Sequence, residues 1–437
     1  MGKKNIGKFL FISCIGVVSF LIPFHFEGST NILVGILTTL VKRLLSPVSK
    51  AVVLLLIAGS AAGSSYDYVM GKKGKEVPEW VHRRFGVSGI YLASKIFTLV
   101  MVFMCNFHLL PEHVIRASQD MVELGSTLLA LAIALSFLLS FLTDGGLMEF
   151  FGEITRPFVR PMFRVPSDAS LDLIASWVGA SNAAVLLSAE KFRKGYYTKR
   201  EAAIVMCNFS LVSIPFCMVV AEAAKVEPYF LPMYLLLCGL GIFLAMVLPR
   251  IYPLNRLEDV YVADRPERRT AGEQNFFSRA VASGCGAAED FSLQKVWKTG
   301  INTMASILLN LMPIGIGWGI LGMLTVNYTP IFGWLSWPMG WILHLLGVES
   351  AFAVAPATLA GFIDMYIPVL LVTGIASVRT RFVIASLSLI QIIYITEVGA
   401  VVLQAKLGVD LKRLAVIFME RTLIALPIMV LASRLIV

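Results

Sequence analysis

The sequence predicts an all-α polytopic membrane protein, with about nine transmembrane helices plus two re-entrant hairpins in inverted-topology repeats. Three observations carry that expectation: an apolar composition, an apolar segment with positive charge on both flanks, and a similarity between the two halves of the chain. Of 437 residues, 57% are hydrophobic and 15% charged, with a mean hydropathy of +0.79. A soluble domain has roughly 45–50% apolar and about 25% charged residues. The net charge of +9 is spread over the connecting segments, as a topology signal would be, and is not gathered into a nucleic-acid-binding block.

The six cysteines form no CxxC pair, and five lie in apolar runs where a small buried hydrophobe fits. The five histidines are scattered, so neither a metal site nor another cofactor is expected. A phosphate-binding GxxxxGK[ST] loop and a GxSxG motif are both absent from the sequence. No nucleophile stands beside a base, and an enzyme is not expected.

Along the chain, Lys3, Lys4 and Lys8 precede an apolar run from Ile6 to Phe24 with no small-residue cleavage site after it. It reads as a retained first span with a cytoplasmic N-terminus. Residues 31–45 contain Lys42-Arg43 and are short for a crossing, so they read as interfacial or re-entrant. Further spans are expected at 51–63, 89–110, 122–143, 201–222, 231–247, 301–324, 383–404 and 414–435. Arg250 to Lys298 is polar, with basic and acidic residues nearly balanced, and reads as a cytoplasmic linker. The domain division expected is 1–121 for scaffold spans, 122–250 for a first repeat, 251–299 for the linker and 300–437 for a second repeat.

Residues 168–190 would cross a bilayer once by length, yet Arg156, Arg160 and Arg164 precede them and Lys191, Arg193, Lys194, Lys199 and Arg200 follow. One crossing would place one of these clusters against the positive-inside bias. A hairpin that breaks near Gly179-Ala180-Ser181-Asn182 and returns to the same face resolves the conflict. Adding 181 to the numbering maps Phe151-Gly152 onto Phe332-Gly333, Pro157 onto Pro338, Asp168 onto Glu349 and Arg200 onto Arg381. The second hairpin is thereby expected at 349–376. Its flanks hold few basic residues, so it belongs on the opposite face. Similar units of opposite orientation are the inverted repeats of secondary transporters, whose broken helices meet near the midplane.

The hairpin-plus-span units, with Gly179-Ala180-Ser181-Asn182-Ala183-Ala184-Val185-Leu186-Leu187 leading into the basic 191–200 loop, resemble the nucleoside-recognition Gate domain. The whole chain resembles bacterial YjiH-family membrane proteins. The resemblance implies a fold similar to that of concentrative nucleoside transporters, with two re-entrant hairpins in a mobile transport unit and a bacterial inner-membrane location.

Ionisable groups inside apolar segments are rare and mark candidate sites. Asp364, in Gly361-Phe362-Ile363-Asp364-Met365-Tyr366, falls at the second hairpin tip; it could bind Na+ or carry a proton, or cap a half-helix. Glu397 lies near the middle of its expected span, with Gln391 and Thr396 on the same segment. Ser181 and Asn182 supply hydrogen-bonding groups at the first tip, and Asn208 and Ser210 follow it. The adjacent Glu420-Arg421 reads as an internal ion pair or a proton path. The expected function is secondary transport of a small polar metabolite, anionic or zwitterionic, coupled to Na+ or H+ by an elevator-like motion. A passive pore and an obligate subunit of a two-component system are the alternatives. The expected partners are the small-molecule substrate and the lipid bilayer, without nucleic acid, in a homodimer or with a second Gate-domain protein.

Overall fold

Inside a bilayer an open chain can satisfy its own backbone only as helix. Helices accordingly dominate the computed structural model, which describes residues 3–26, 29–87, 89–178, 181–209, 212, 214–262 and 276–437. Helix α1 (Lys3–Leu21) leads into an antiparallel pair, β1 (Pro23–Phe26) and β2 (Ser29–Ile32), with Pro23 opposite Ile32. Helix α2 (Leu33–Leu45) has 13 residues and ends on Lys42 and Arg43, too short to cross. Then come α3 (Ser49–Lys72), α4 (Glu79–Phe85), α5 (Gly89–Asn106), α6 (Glu112–Thr143) and α7 (Leu147–Phe163).

The first hairpin is α8 (Ser170–Val178) followed by α9 (Ser181–Arg193). A broken helix follows, α10 (Lys199–Asn208) and α11 (Ile214–Ala223), then α12 (Phe230–Val247) and α13 (Phe276–Glu289). Next, α14 (Leu293–Ser306) runs through a π turn at Ile307–Leu311 into α15 (Met312–Tyr328), and α16 (Ile331–Leu345) follows. The second hairpin is α17 (Ala351–Ala360) and α18 (Tyr366–Val372). A second broken helix has α19 (Val378–Gln391) as its first half; a π turn at Ile395–Gly399 and α20 (Ala400–Gln404) make the second. The last element is α21 (Leu411–Ile436).

Adding 181 to 112, 170, 214 and 230, the starts of α6, α8, α11 and α12, gives 293, 351, 395 and 411. These are the starts of α14, α17, the second π turn and α21. The repeat seen in a handful of residues therefore extends through the helices.

Start signals are local. Thr198 and Glu201 form a reciprocal capping box on α10. Asp410 caps α21 by accepting from the Arg413 amide at 2.8 Å.

Among the described residues five helices are long and apolar enough to cross a membrane by length and composition, Ser49–Lys72, Val114–Phe141, Glu227–Arg250, Leu293–Thr325 and Leu411–Ile436, and shorter apolar helices lie at Ile6–Phe20, Tyr91–Asn106 and Ala351–Ala360. The expected spans at 201–222 and 383–404 are each two half-helices, because their backbones leave helical geometry partway. In addition, the 251–299 stretch is not all linker. Within it α13 buries Cys285 and Ala288 against Phe9 and Ile12 of α1, and Lys8 donates to the carbonyls of Glu289 and Phe291 at 3.0 Å each. Gly146, at φ +91°, lets the start of α7 meet α13; a Cβ there would lie 2.1 Å from the Gly284 carbonyl oxygen.

The chain packs as two units. Unit 1 holds Met1–Ile32, Leu139–Leu293 and Ser336–Val437; unit 2 holds Leu33–Leu138 and Gln294–Leu335. In unit 1, α19 packs on α21 and α12, α8 on α9, α17 on α18, and α7 on α8 and α13. In unit 2, α5 packs on α3 and α15, with α4 folded back on α3.

Candidate functional site

The candidate site lies in unit 1, where the two broken helices stop. Helix α10 ends at Asn208 and α19 at Gln391, so each presents unsatisfied carbonyls and a partial negative charge. Arg421, in the interior of α21, is fully buried and reaches both ends. Its Nε and Nη2 donate to the Ile390 carbonyl at 2.9 and 2.8 Å. Its Nη1 donates to the Cys207 carbonyl at 3.4 Å and to Asn208 Oδ1 at 3.3 Å. A cation at two helix C-termini is electrostatically well placed, and the planar fork suits several acceptors at once.

The expected Glu420–Arg421 ion pair is not formed: neighbouring residues on a helix diverge in direction, and Arg421 points to the breaks.

Gln391 ties the same place to the second hairpin. Its Nε2 donates to the Thr358 carbonyl at 2.8 Å and to Thr422 Oγ1 at 2.9 Å. The Ile395 amide donates to the Phe362 carbonyl at 2.9 Å. A Cβ on Gly361 would lie 1.9 Å from Gln391 Oε1, so a side chain at that tip position would displace the glutamine. The chain leaves α19 through Ile392 at φ +46°, a left-handed conformation that a β-branched residue adopts only under strain of about 1–3 kcal/mol.

Two buried polar atoms of the centre have no hydrogen-bond partner among the described residues, Asn208 Nδ2 and Gln391 Oε1. Leaving such a group unmet costs about 1–3 kcal/mol, so they give the centre one donor and one acceptor for a polar ligand.

Asp364 is buried at the second tip, 6% exposed, and its Oδ1 accepts from the Tyr366 amide at 2.9 Å. An Asp oxygen that accepts from the amide two residues on forms an Asx turn, here at the entry to α18. Ser181 and Asn182 open α9, and the N–H groups of a first helical turn have no partner within the helix. Their side chains, those of Thr396 and Glu397, and the whole of Ser210 lie outside the described residues. The backbone of Thr396 and Glu397 is in the π turn Ile395–Gly399, a feature frequent at functional positions.

Thr358, Thr422 and Arg421 complete the centre but were not sequence candidates for binding. Only Arg421 carried a signal, a charge inside an apolar run. Asp172 was missed as well: it is 1% exposed on α8 and accepts from Lys191 Nζ of α9 at 2.5 Å and from the Tyr197 hydroxyl, closing the mouth of the first hairpin. So was Lys95 in unit 2, fully buried on α5. Its Nζ donates to Ser64 Oγ at 2.9 Å and to Asn310 Oδ1 at 2.8 Å; Asn310 sits in the first π turn.

Residues 126–226 match the Gate family model, described as nucleoside recognition. The chain is 34% identical to "Uncharacterized protein BpOF4_10220" of Alkalihalophilus pseudofirmus over 451 positions, covering 98% of this chain and 94% of that protein. Among solved structures, a CNTnw variant in an outward-facing state aligns at a TM-score of 0.39 and 18% identity, over 91% of this chain and 98% of that one. A CNTnw variant in an intermediate state aligns at 0.37 and 17%, over 98% and 91%.

The apolar crossing helices define a multi-pass membrane protein, one segment of which is similar to the Gate nucleoside-recognition domain. More narrowly, the chain belongs to the family of the Alkalihalophilus protein.

Proposed function

We propose that the protein is a secondary active transporter of a small polar metabolite, anionic or zwitterionic, coupled to Na+ or H+, in which the hairpins ride on an elevator-like carriage. The observation that supports this reading is the buried centre at which Arg421 joins two broken helices while Asn208 Nδ2 and Gln391 Oε1 have no partner among the described residues. Discontinuous helices lining a polar centre are the usual architecture of such sites. Arg421 and the first-turn amides of α9 add positive potential, which suits an anionic group. Substrate contacts are assigned to Ser181, Asn182, Asn208, Ser210, Gln391 and Thr396, and ion coupling to Asp364 and Glu397.

The test is the thermal shift of the purified full chain with nucleosides, mono- and dicarboxylates, amino acids and dipeptides, each with and without Na+. A ligand at ~100 times its dissociation constant stabilises by about 2.7 kcal/mol. One chemical class giving a Na+- or pH-dependent shift, lost in Gln391→Ala, is the expected result. Silence across the panel in folded protein would remove the transporter reading in favour of an obligate partner subunit. In proteoliposomes loaded with the responding class, Asp364→Asn should abolish gradient-driven uptake at near-normal expression. Wild-type uptake in that variant would sink the coupling role.

A further inference from the structure

We propose that unit 2 carries a site for the phosphate headgroup of an anionic membrane lipid. A cavity of about 580 Å³ opens between α4 and α14, with Arg83 and Arg84 on one wall and Lys298 on the other. Glu79 is the one acid among its lining residues, and none of the three cations is in an ion pair among the described residues. The lining is therefore left with uncompensated positive charge. The indoles of Trp80 and Trp297 also line it and are 65% and 63% exposed.

The place of this cavity along the spans identifies its level. The candidate span of α3 ends at Lys72, shortly before α4, and that of α14 begins at Leu293. The cavity thus lies where two crossing helices leave the hydrocarbon, the depth at which Trp is enriched and lipid phosphates are found. The basic run of Lys72, Lys73, Lys75, Arg83 and Arg84 assigns this end to the cytoplasmic leaflet, whose anionic lipids attract such clusters.

The wall is also held in place. His82 Nδ1 lies 3.0 Å from Asp67 Oδ1 of α3, and Asn310 Nδ2 donates to the Arg84 carbonyl at 3.1 Å. Helix α4 is therefore fixed against its neighbours before any ligand arrives. A free phosphate shares the charge chemistry, but it has no use for two exposed indoles at the level of the acyl boundary.

The full chain, purified in a neutral detergent, would be heated with dioctanoyl phosphatidylglycerol, with dioctanoyl phosphatidylcholine, or with inorganic phosphate at equal concentration. The expected result is a rise in midpoint with phosphatidylglycerol alone. Arg83→Gln with Lys298→Gln should weaken that response by about 25-fold, five-fold for each charge removed. Both side chains are exposed, so the unliganded midpoint should hold; if the double variant fails to fold, Lys298→Gln alone serves the comparison. An equal response to phosphatidylcholine, or an unchanged response in the variant, would overturn the proposal. An equal response to inorganic phosphate would overturn the lipid assignment and leave a soluble-anion site.

Discussion

Arg421 does in one residue what a cap does at a single helix end: it supplies donors to carbonyls that have none. Arg421→Met would leave the acceptors at Cys207, Asn208 and Ile390 short of partners in a dry centre, at an expected loss of about 3–5 kcal/mol. The check is the thermal midpoint of the detergent-solubilised protein. Arg421→Lys should fall between, because an ammonium keeps the charge and loses the fork. The Asp172–Lys191 pair offers a parallel at the first hairpin. Asp172→Ala strands a lysine that is 28% exposed and removes the acceptor of buried Tyr197. A drop of about 3 kcal/mol is expected, read in the same assay. At this scale the sequence is partly legible. An ionisable residue in an apolar run announces itself, as Asp364 and Arg421 do, but its partner does not. Arg421 is bound to residues 31 and 213 positions away, so its sequence neighbour Glu420 was the wrong guide.

Hairpins are easier to read from sequence than broken helices, for a physical reason. The first hairpin carries its evidence in flanking charge, and α8 packs on α9; Gly179 and Ala180, where the break is expected, lie outside the described residues. The breaks after Asn208 and Gln391 fall inside uniformly apolar runs, where no charge marks them and hydropathy reports one continuous span. At the second of them the backbone turns at Ile392, a residue type that gives no turn signal. Helix α13 escaped for the opposite cause: its surroundings are polar, and its apolar face shows only once α1 lies against it.

Two tests belong to the element scale. Gly361→Ala should push Gln391 off Thr358 and Thr422 and lower uptake more than it lowers the thermal midpoint, since overpacking costs about 1–3 kcal/mol. A variant with wild-type uptake would detach the second hairpin from the centre. Thr198→Ala should cost about 1 kcal/mol through the lost capping box on α10.

For the whole molecule, the constant offset of 181 pairs elements within one unit: α6 with α14 mostly in unit 2, and α8, α11 and α12 with α17, the second π turn and α21 in unit 1, so each unit draws on both repeats. The repeat was visible in a few matched residues; the units were not, because they assemble pieces distant in sequence. Orientation of the repeats can be measured. In a background with Cys14→Ser, single cysteines at Lys194 and at Glu349, both exposed, should react with an impermeant thiol reagent from opposite sides of sealed vesicles. Labelling of both from one side would rule out the inverted arrangement.

The buried ammonium of Lys95 has a consequence for how the protein is made. Ser64 is synthesised 31 residues before Lys95, whereas Asn310 follows 215 residues after it. At about 5–20 residues per second, the ribosome needs roughly 10 to 40 s to bring that second partner out. Through that interval the nascent α5 sits at the insertion machinery with a lysine only half provided for. Such a helix is expected to linger beside the translocon or an insertase until the π turn after α14 arrives, so biogenesis, more than the finished fold, should be the stage most sensitive to a change at Asn310.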